Sequence, residues 1–395
     1  MATRRVTRRE AIRTGAAVAM GGLAKLGRTG EEQAPSVAAG DEALDEALRL
    51  LHGREPESRH GLSNHAPMVA EALCALGHSE RAVGWVAAYK GPDVRLPPPS
   101  QPIDPLDWRS ALGVRPAGSS WETSLPRYGD WREFFAAELE ESPWKDVLDT
   151  WTLRLAPGLC AAATHGVIRT AHAVRGLARR ETRARRAELS RGLAYWASAY
   201  EELGSRPAGP AEEDLADALS RLPLYTRRHG GVPAGNIVAG LRAARELPGF
   251  EEATRAGASA GDVGEALSRL TAAFARAYLQ HGAPGPPVAT IAFVHGVTGP
   301  AALRKIAPHV RPETARAALP FAWQAAAGIY SAYARRDNPM PPARESRQTP
   351  AELAERALAN GDEHAIKFTE ALLAEHALRP DPAYLAAAED AVARL

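Results

Sequence analysis

Cysteine, net charge, strand patterning and long apolar runs are all scarce in this chain of 395 residues, and each shortage narrows what it can be. There are two cysteines, Cys74 and Cys160, both in apolar helical stretches and neither in a CxxC pair. That argues against a disulfide scaffold and against a thiolate metal site; buried free thiols are expected, with one bridge between them as the alternative. The formal net charge is +1, which gives no reason to expect a nucleic-acid partner. The densest basic run, Arg179 to Arg186, has no aromatic residues interleaved for stacking on bases and reads as a solvated helix end or loop. Convincing period-two strand patterns are nearly absent; Val288 to Val294 is short and ambiguous between strand and helix. No GxGxxG fingerprint follows a strand, so a nicotinamide or flavin, if one takes part, is not held by a Rossmann module of this chain. HExxH is missing too, and no fixed-period repeat favours a solenoid.

What is there reads as helix after helix. Hydrophobic residues are 45% and charged residues 24%, the balance of an ordinary folded protein. Thr7-Arg8-Arg9 leads a moderately apolar stretch from Thr14 to Leu26, and Val37-Ala38-Ala39 offers small residues at a plausible cleavage point. The pattern resembles a twin-arginine export signal, with a cytoplasmic protein carrying a basic tail as the alternative. The apolar stretch is too short for stable membrane insertion. Residues 1–39 are therefore set apart as a leader, and 40–395 are expected to form one large all-α domain with a buried central site. Helices are expected over Asp41 to Leu51, from Ser63 or Asn64 to Leu76 with Gly77 as the stop, and over Leu159 to Ala178, Ala184 to Leu203, Val288 to Ala307, Pro312 to Arg335 and Asp362 to Leu378. Prolines between Pro92 and Pro105 mark an irregular connection.

Four segments place histidine among small or apolar neighbours: Gly61 to Pro67 with His65, Thr164 to His172 with His165, Phe293 to Gly296 with His295, and His364 to Phe368 with Lys367. Neutral imidazole is the commonest transition-metal ligand, and helical proteins build metal sites in their cores from residues remote in sequence. His165 and His172 are seven apart, about 10.5 Å along a helix axis, too far to grip one ion together. One is a ligand candidate and the other lines the same cavity. Arg169 shares their stripe and suits an anionic oxygen, or else a structural carboxylate. His364 and Lys367 are neighbours on one helix face; a solvated surface with Glu363–Lys367 and Lys367–Glu370 pairs is the plainer alternative. A lysine becomes a ligand only after losing a proton or forming a carbamate with carbon dioxide.

At His60 to Pro67, His165 to Ala173, His295 to Gly299 and His364 to Ala371 the chain resembles the questin oxidase-like family, in order over about residues 41 to 380. The resemblance implies an all-helical oxygenase of aromatic polyketides such as anthraquinones, acting either by Baeyer–Villiger-type oxidation or by iron-dependent C–C cleavage. It implies Fe(II) held by His65, His165, His295 and His364 with a carboxylated Lys367, and a small aromatic substrate and dioxygen as partners. His172 then stands behind the ligands, or exchanges places with His295. Arg169 and His172 are the expected catalytic residues, and Trp196, Trp323 and Tyr330 the expected walls for a flat substrate. A metal-free, NADPH-dependent oxidase using its histidines as acids and bases is the rival enzyme. A non-catalytic helical ligand-binding protein is the rival of another class.

Overall fold

The computed structural model describes residues 37–395 except 55, 58–61, 90–97, 115–124, 206–214, 256–260 and 340–344. The twin-arginine-like stretch and residues 92–97 of the proline-rich connection lie outside the described residues. The first helix, α1, runs Val37–Leu50, so it begins inside the expected leader. Then come α2 (Ala66–Ala75), α3 (Ser79–Ala88), α4 (Tyr128–Glu141), α5 (Trp144–Leu155), α6 (His165–Arg179) and α7 (Arg183–Ser198). The second half holds α8 (Leu215–Arg221), α9 (Tyr225–His229), α10 (Ile237–Arg245), α11 (Phe250–Arg255), α12 (Val263–Ala277), α13 (Pro287–Ile306) and α14 (Pro312–Tyr333). It closes with α15 (Pro350–Asn360), α16 (Glu363–Leu378) and α17 (Pro382–Arg394). The protein is all-α: among the described residues there is no strand, only an isolated pairing of Glu57 with Ser63. Val288 to Val294 is helical throughout, inside α13. No described helix is long and apolar enough to cross a membrane.

Local signals set the helix ends. Thr349 and Glu352 form a capping box, Asp362 caps α16, and Gly361 ends α15 at φ 79°. Two expectations shift. Asn64 Oδ1 accepts from Ala66 N at 3.1 Å, so α2 starts at Ala66 and His65 stands at its N-cap rather than in its first turn. The long helix expected from Leu159 begins only at His165, because Ala162, Ala163 and Thr164 adopt left-handed backbone, φ 49°, 56° and 69°.

Four helices matter most. Around one axis α2 packs on α6, α6 on α13, α13 on α16, and α16 back on α2. The remaining helices wrap this ring, and one continuous apolar core joins them. The close approach of α6 and α7 depends on two glycines. A Cβ on Gly166 would lie 2.7 Å from Trp196 Cα, and one on Gly192 2.9 Å from Thr170 Cα. Both cysteines are free and buried. Within the basic run, Arg185 departs from the solvated reading: it is 1% exposed, bonded to Asp41 and Asp45 of α1 and to the Gly176 carbonyl. Two carboxylates and a carbonyl satisfy a guanidinium that the sequence alone left to water.

Candidate metal centre

Each helix of the central ring delivers one histidine. His65 caps α2, His165 is the first residue of α6, His295 lies midway along α13, and His364 is the second residue of α16. The segment before α2 is tied down from outside: Tyr195 on α7 donates to Glu57 at 2.9 Å and meets Ser63 Oγ at 2.6 Å. Asp362 Oδ1 accepts from the His364 and Ala365 amides, fixing the start of α16.

The imidazoles meet in the order of the helices that carry them. Ring centroids are 4.8 Å apart for His65 and His165, 4.5 Å for His165 and His295, 5.8 Å for His295 and His364, and 4.6 Å for His364 and His65. An ion bonded at about 2.1 Å lies about 3.2 Å from each ring centre, so adjacent rings at right angles stand about 4.5 Å apart. Three of the four sides match that spacing and the fourth is open.

Hydrogen bonds fix two of the tautomers. His165 Nδ1 lies 2.6 Å from the Ala162 carbonyl, and His295 Nδ1 lies 2.7 Å from the Ile291 carbonyl. A carbonyl only accepts, so both Nδ1 atoms carry hydrogen. The left-handed turn at Ala162 to Thr164 is what turns the Ala162 carbonyl back onto His165; such backbone costs about 1–2 kcal/mol per residue, a strain held at the site. The two Nε2 atoms then face each other, bare, at 3.1 Å. Burial, followed by the neighbouring His295 for His165 and His364 for His295, pushes both rings well below the ordinary histidine range. Two facing lone pairs at this distance are satisfied by a shared proton or by a cation. Atoms held about 2.1 Å from one ion stand about 3.0 Å apart at a right angle and about 3.4 Å apart at the tetrahedral angle.

Lys367 lies beside the four rings. It is 2% exposed, and Nζ lies 2.7 Å from His65 Nδ1. Burial lowers its pKa to about 7, so much of it is neutral amine near neutrality. Burial, then the Lys367 charge, likewise holds His65 neutral. The N-termini of α2, α6 and α16 all point their positive ends at the ring, which favours anionic oxygen there.

Behind the ring the same four helices build a second, charged layer. Glu71 of α2 accepts from His172 Nδ1 and Arg175 Nε of α6, each at 2.7 Å. Arg175 also reaches Glu370 of α16, which pairs with Lys305 of α13 at 3.2 Å. Burial alone would raise the Glu71 carboxyl, but Arg175 and His172 carry it well below the ordinary range. This is where His172 belongs: outside the ring and bonded to Glu71, as its spacing from His165 required, while His295 takes the place beside His165. Arg169 is 3% exposed and bound to Glu188 through two bonds of 2.7 and 3.1 Å, so its main partner is a structural carboxylate. Arg169 and His172 share a cavity of about 10 Å³, room for one water, with Glu71, Arg185 and Glu188. Trp196 and Trp323 are fully buried packing residues; Tyr330 is partly exposed and packs on Phe274, His281 and Phe293.

Glu363 was not singled out as a ligand from the sequence. One of its carboxylate oxygens and ring nitrogens of His65 and His364 lie within 4.8 Å of one another. Its only sequence signal was adjacency to His364, which a surface pair with Lys367 explained equally well. Compared with known proteins, the chain matches no family model and no curated protein.

Proposed function

We propose that this chain is an oxygen-dependent oxidoreductase acting on a polycyclic aromatic substrate at a non-haem iron centre. The observation that carries the reading is the bare Nε2 pair of His165 and His295 at 3.1 Å, which a divalent cation satisfies. His65, His165, His295 and His364 would hold the ion, with Lys367 supplying a carboxylate-like oxygen as its carbamate. Bound there, Fe(II) would supply the capacity to bind and activate dioxygen at an open position.

The chain's own residues prepare each part. Neutral Lys367 attacks carbon dioxide, an N–C bond forms as one C=O π pair moves onto oxygen, and the proton released passes to solvent. The carbonyls of Ala162 and Ile291 keep two imidazoles in the metal-binding tautomer. Burial of the ring excludes water on three sides, while the His364 side chain, 15% exposed, marks the side open to substrate. On that side Tyr89 Oη accepts from the His65 amide at 3.4 Å and its ring stacks on Trp85 at 4.9 Å. Trp85 is held in turn by the Gly361 carbonyl at 3.0 Å. Both rings are partly exposed and offer a flat platform for an aromatic substrate. The resemblance to questin oxidase-like proteins supports the anthraquinone-like class, and the twin-arginine-like stretch supports export with the cofactor already loaded.

Elemental analysis after iron-replete expression, paired with oxygen uptake on hydroxyanthraquinones, tests this. The reading expects close to one iron per chain and uptake that depends on the aromatic. Iron below about a tenth of an equivalent, with no metal in its place, contradicts it, since a site of this donor set should fill.

A further inference from the structure

We propose that Glu363 is an oxygen ligand of the same centre, one that holds the metal whether or not Lys367 carries a carbamate. The inference rests on the iron reading above and assigns a donor that reading does not use. Its carboxylate oxygen and the ring nitrogens of His65 and His364 are mutually within 4.8 Å, and the side chain is only partly buried, free to close the remaining distance. The other acidic residues near it on α16 are already engaged. Asp362 caps the helix, Glu370 pairs with Arg175 and Lys305, and Glu375 pairs with Arg304. Glu363 is half-buried, and its charge acts on Lys367 and on Tyr89 beside His65. A glutamate in a first helical turn is also favourable for the helix itself, which explains its place in α16 but not its approach to two imidazoles.

Charge gives the reason for a second oxygen donor. Four neutral imidazoles leave a divalent ion with its full charge in a buried site. One carboxylate halves that charge and a carbamate removes the rest. Glu363 and Lys367 are i and i+4 on one stripe of α16, both beside His65. The permanent carboxylate lies toward solvent and the carbon-dioxide-dependent one lies deeper. The centre would then keep an oxygen ligand when carbon dioxide is scarce.

The test uses the full chain, wild type and Glu363→Gln, stripped by chelator and reloaded anaerobically with Fe(II) in carbon-dioxide-free buffer and in bicarbonate. Metal affinity is read by chelator competition, and the Co(II)-substituted visible spectrum reports coordination independently of catalysis. Thermal melts of the metal-free proteins check that the variant folds, and Glu363→Asp, which keeps the carboxylate, serves as a second variant. Changing groups that only support a ligand typically costs 10–100-fold in affinity, so losing a ligand should cost at least about tenfold. The loss is expected in carbon-dioxide-free buffer, with partial recovery in bicarbonate, an altered Co(II) spectrum, and a smaller loss for Glu363→Asp. Equal affinity and unchanged spectra for Glu363→Gln in both buffers would overturn the assignment while leaving the iron reading intact. A wild type that takes up no metal in either buffer would overturn the iron reading and this inference with it.

Discussion

Removing one imidazole of the facing pair should separate metal binding from folding. In the metal-free protein His165 and His295 point unprotonated nitrogens at each other, so His295→Ala relieves a repulsion while leaving a small void. Its metal-free stability is expected to stay within about 2 kcal/mol of wild type, at the low end for truncating a buried side chain. Iron content, by contrast, should fall below about a tenth of an equivalent, because the remaining rings no longer enclose the ion. Elemental analysis and urea unfolding of the same preparation check both halves. Gly166→Ala should do the reverse. Its Cβ would meet the Trp196 backbone at 2.7 Å, forcing α6 away from α7 and carrying His165 with it. A loss of about 1–3 kcal/mol is expected from overpacking, together with weaker metal binding. At this scale the sequence was legible where a residue's neighbours gave it away: four imidazoles among small residues, and one lysine on an apolar helix. Glu363 and the buried partners Glu71, Glu370 and Lys305 were not, since a charged side chain on a helix looks the same whether its partner is solvent or a distant arginine.

At the scale of elements, the second layer fastens the four histidine-bearing helices to one another. Arg175 is its hub, touching Glu71 of α2 and Glu370 of α16. Arg175→Met should leave Glu71 with His172 alone and Glu370 with Lys305 alone, removing the cation they share, and cost about 3–5 kcal/mol, measured by urea unfolding. The same layer sets a pH dependence. Burial lowers the His172 pKa to about 4, so the unfolded chain gains that proton near pH 6.5 and the folded one only near 4. Burial raises Glu370, but Arg175 and Lys305 outweigh it and hold it at about 2, against 4.5 when unfolded. Both shifts act in one direction. The stability that His172 and Glu370 contribute is present in full above pH 6.5 and is lost as pH falls, first through the histidine window and then below 4.5. Metal-free protein unfolded at pH 7, 5.5 and 4 should show a falling midpoint, and a flat profile would contradict the assignment. Helix positions were legible from periodicity to within a few residues. The start of α6 was not, because three non-glycine residues in left-handed backbone carry no sequence signature; tertiary packing imposes them.

For the molecule as a whole, all-α architecture was legible from repeated amphipathic segments and missing strand patterns. The closed ring of α2, α6, α13 and α16 was not. Lys367 and His65 are 302 residues apart, and nothing local says that their helices adjoin. What the sequence offered was a convergence of chemistry, and the fold supplies its geometry. X-ray absorption at the iron edge, on protein loaded to one equivalent, tests the central claim most directly. The account expects a shell of nitrogen and oxygen scatterers near 2.1 Å with the outer-shell signature of about four imidazoles, and loss of part of that signature in His165→Ala. Iron surrounded by oxygen alone, or a spectrum unchanged by removing His165, would contradict it.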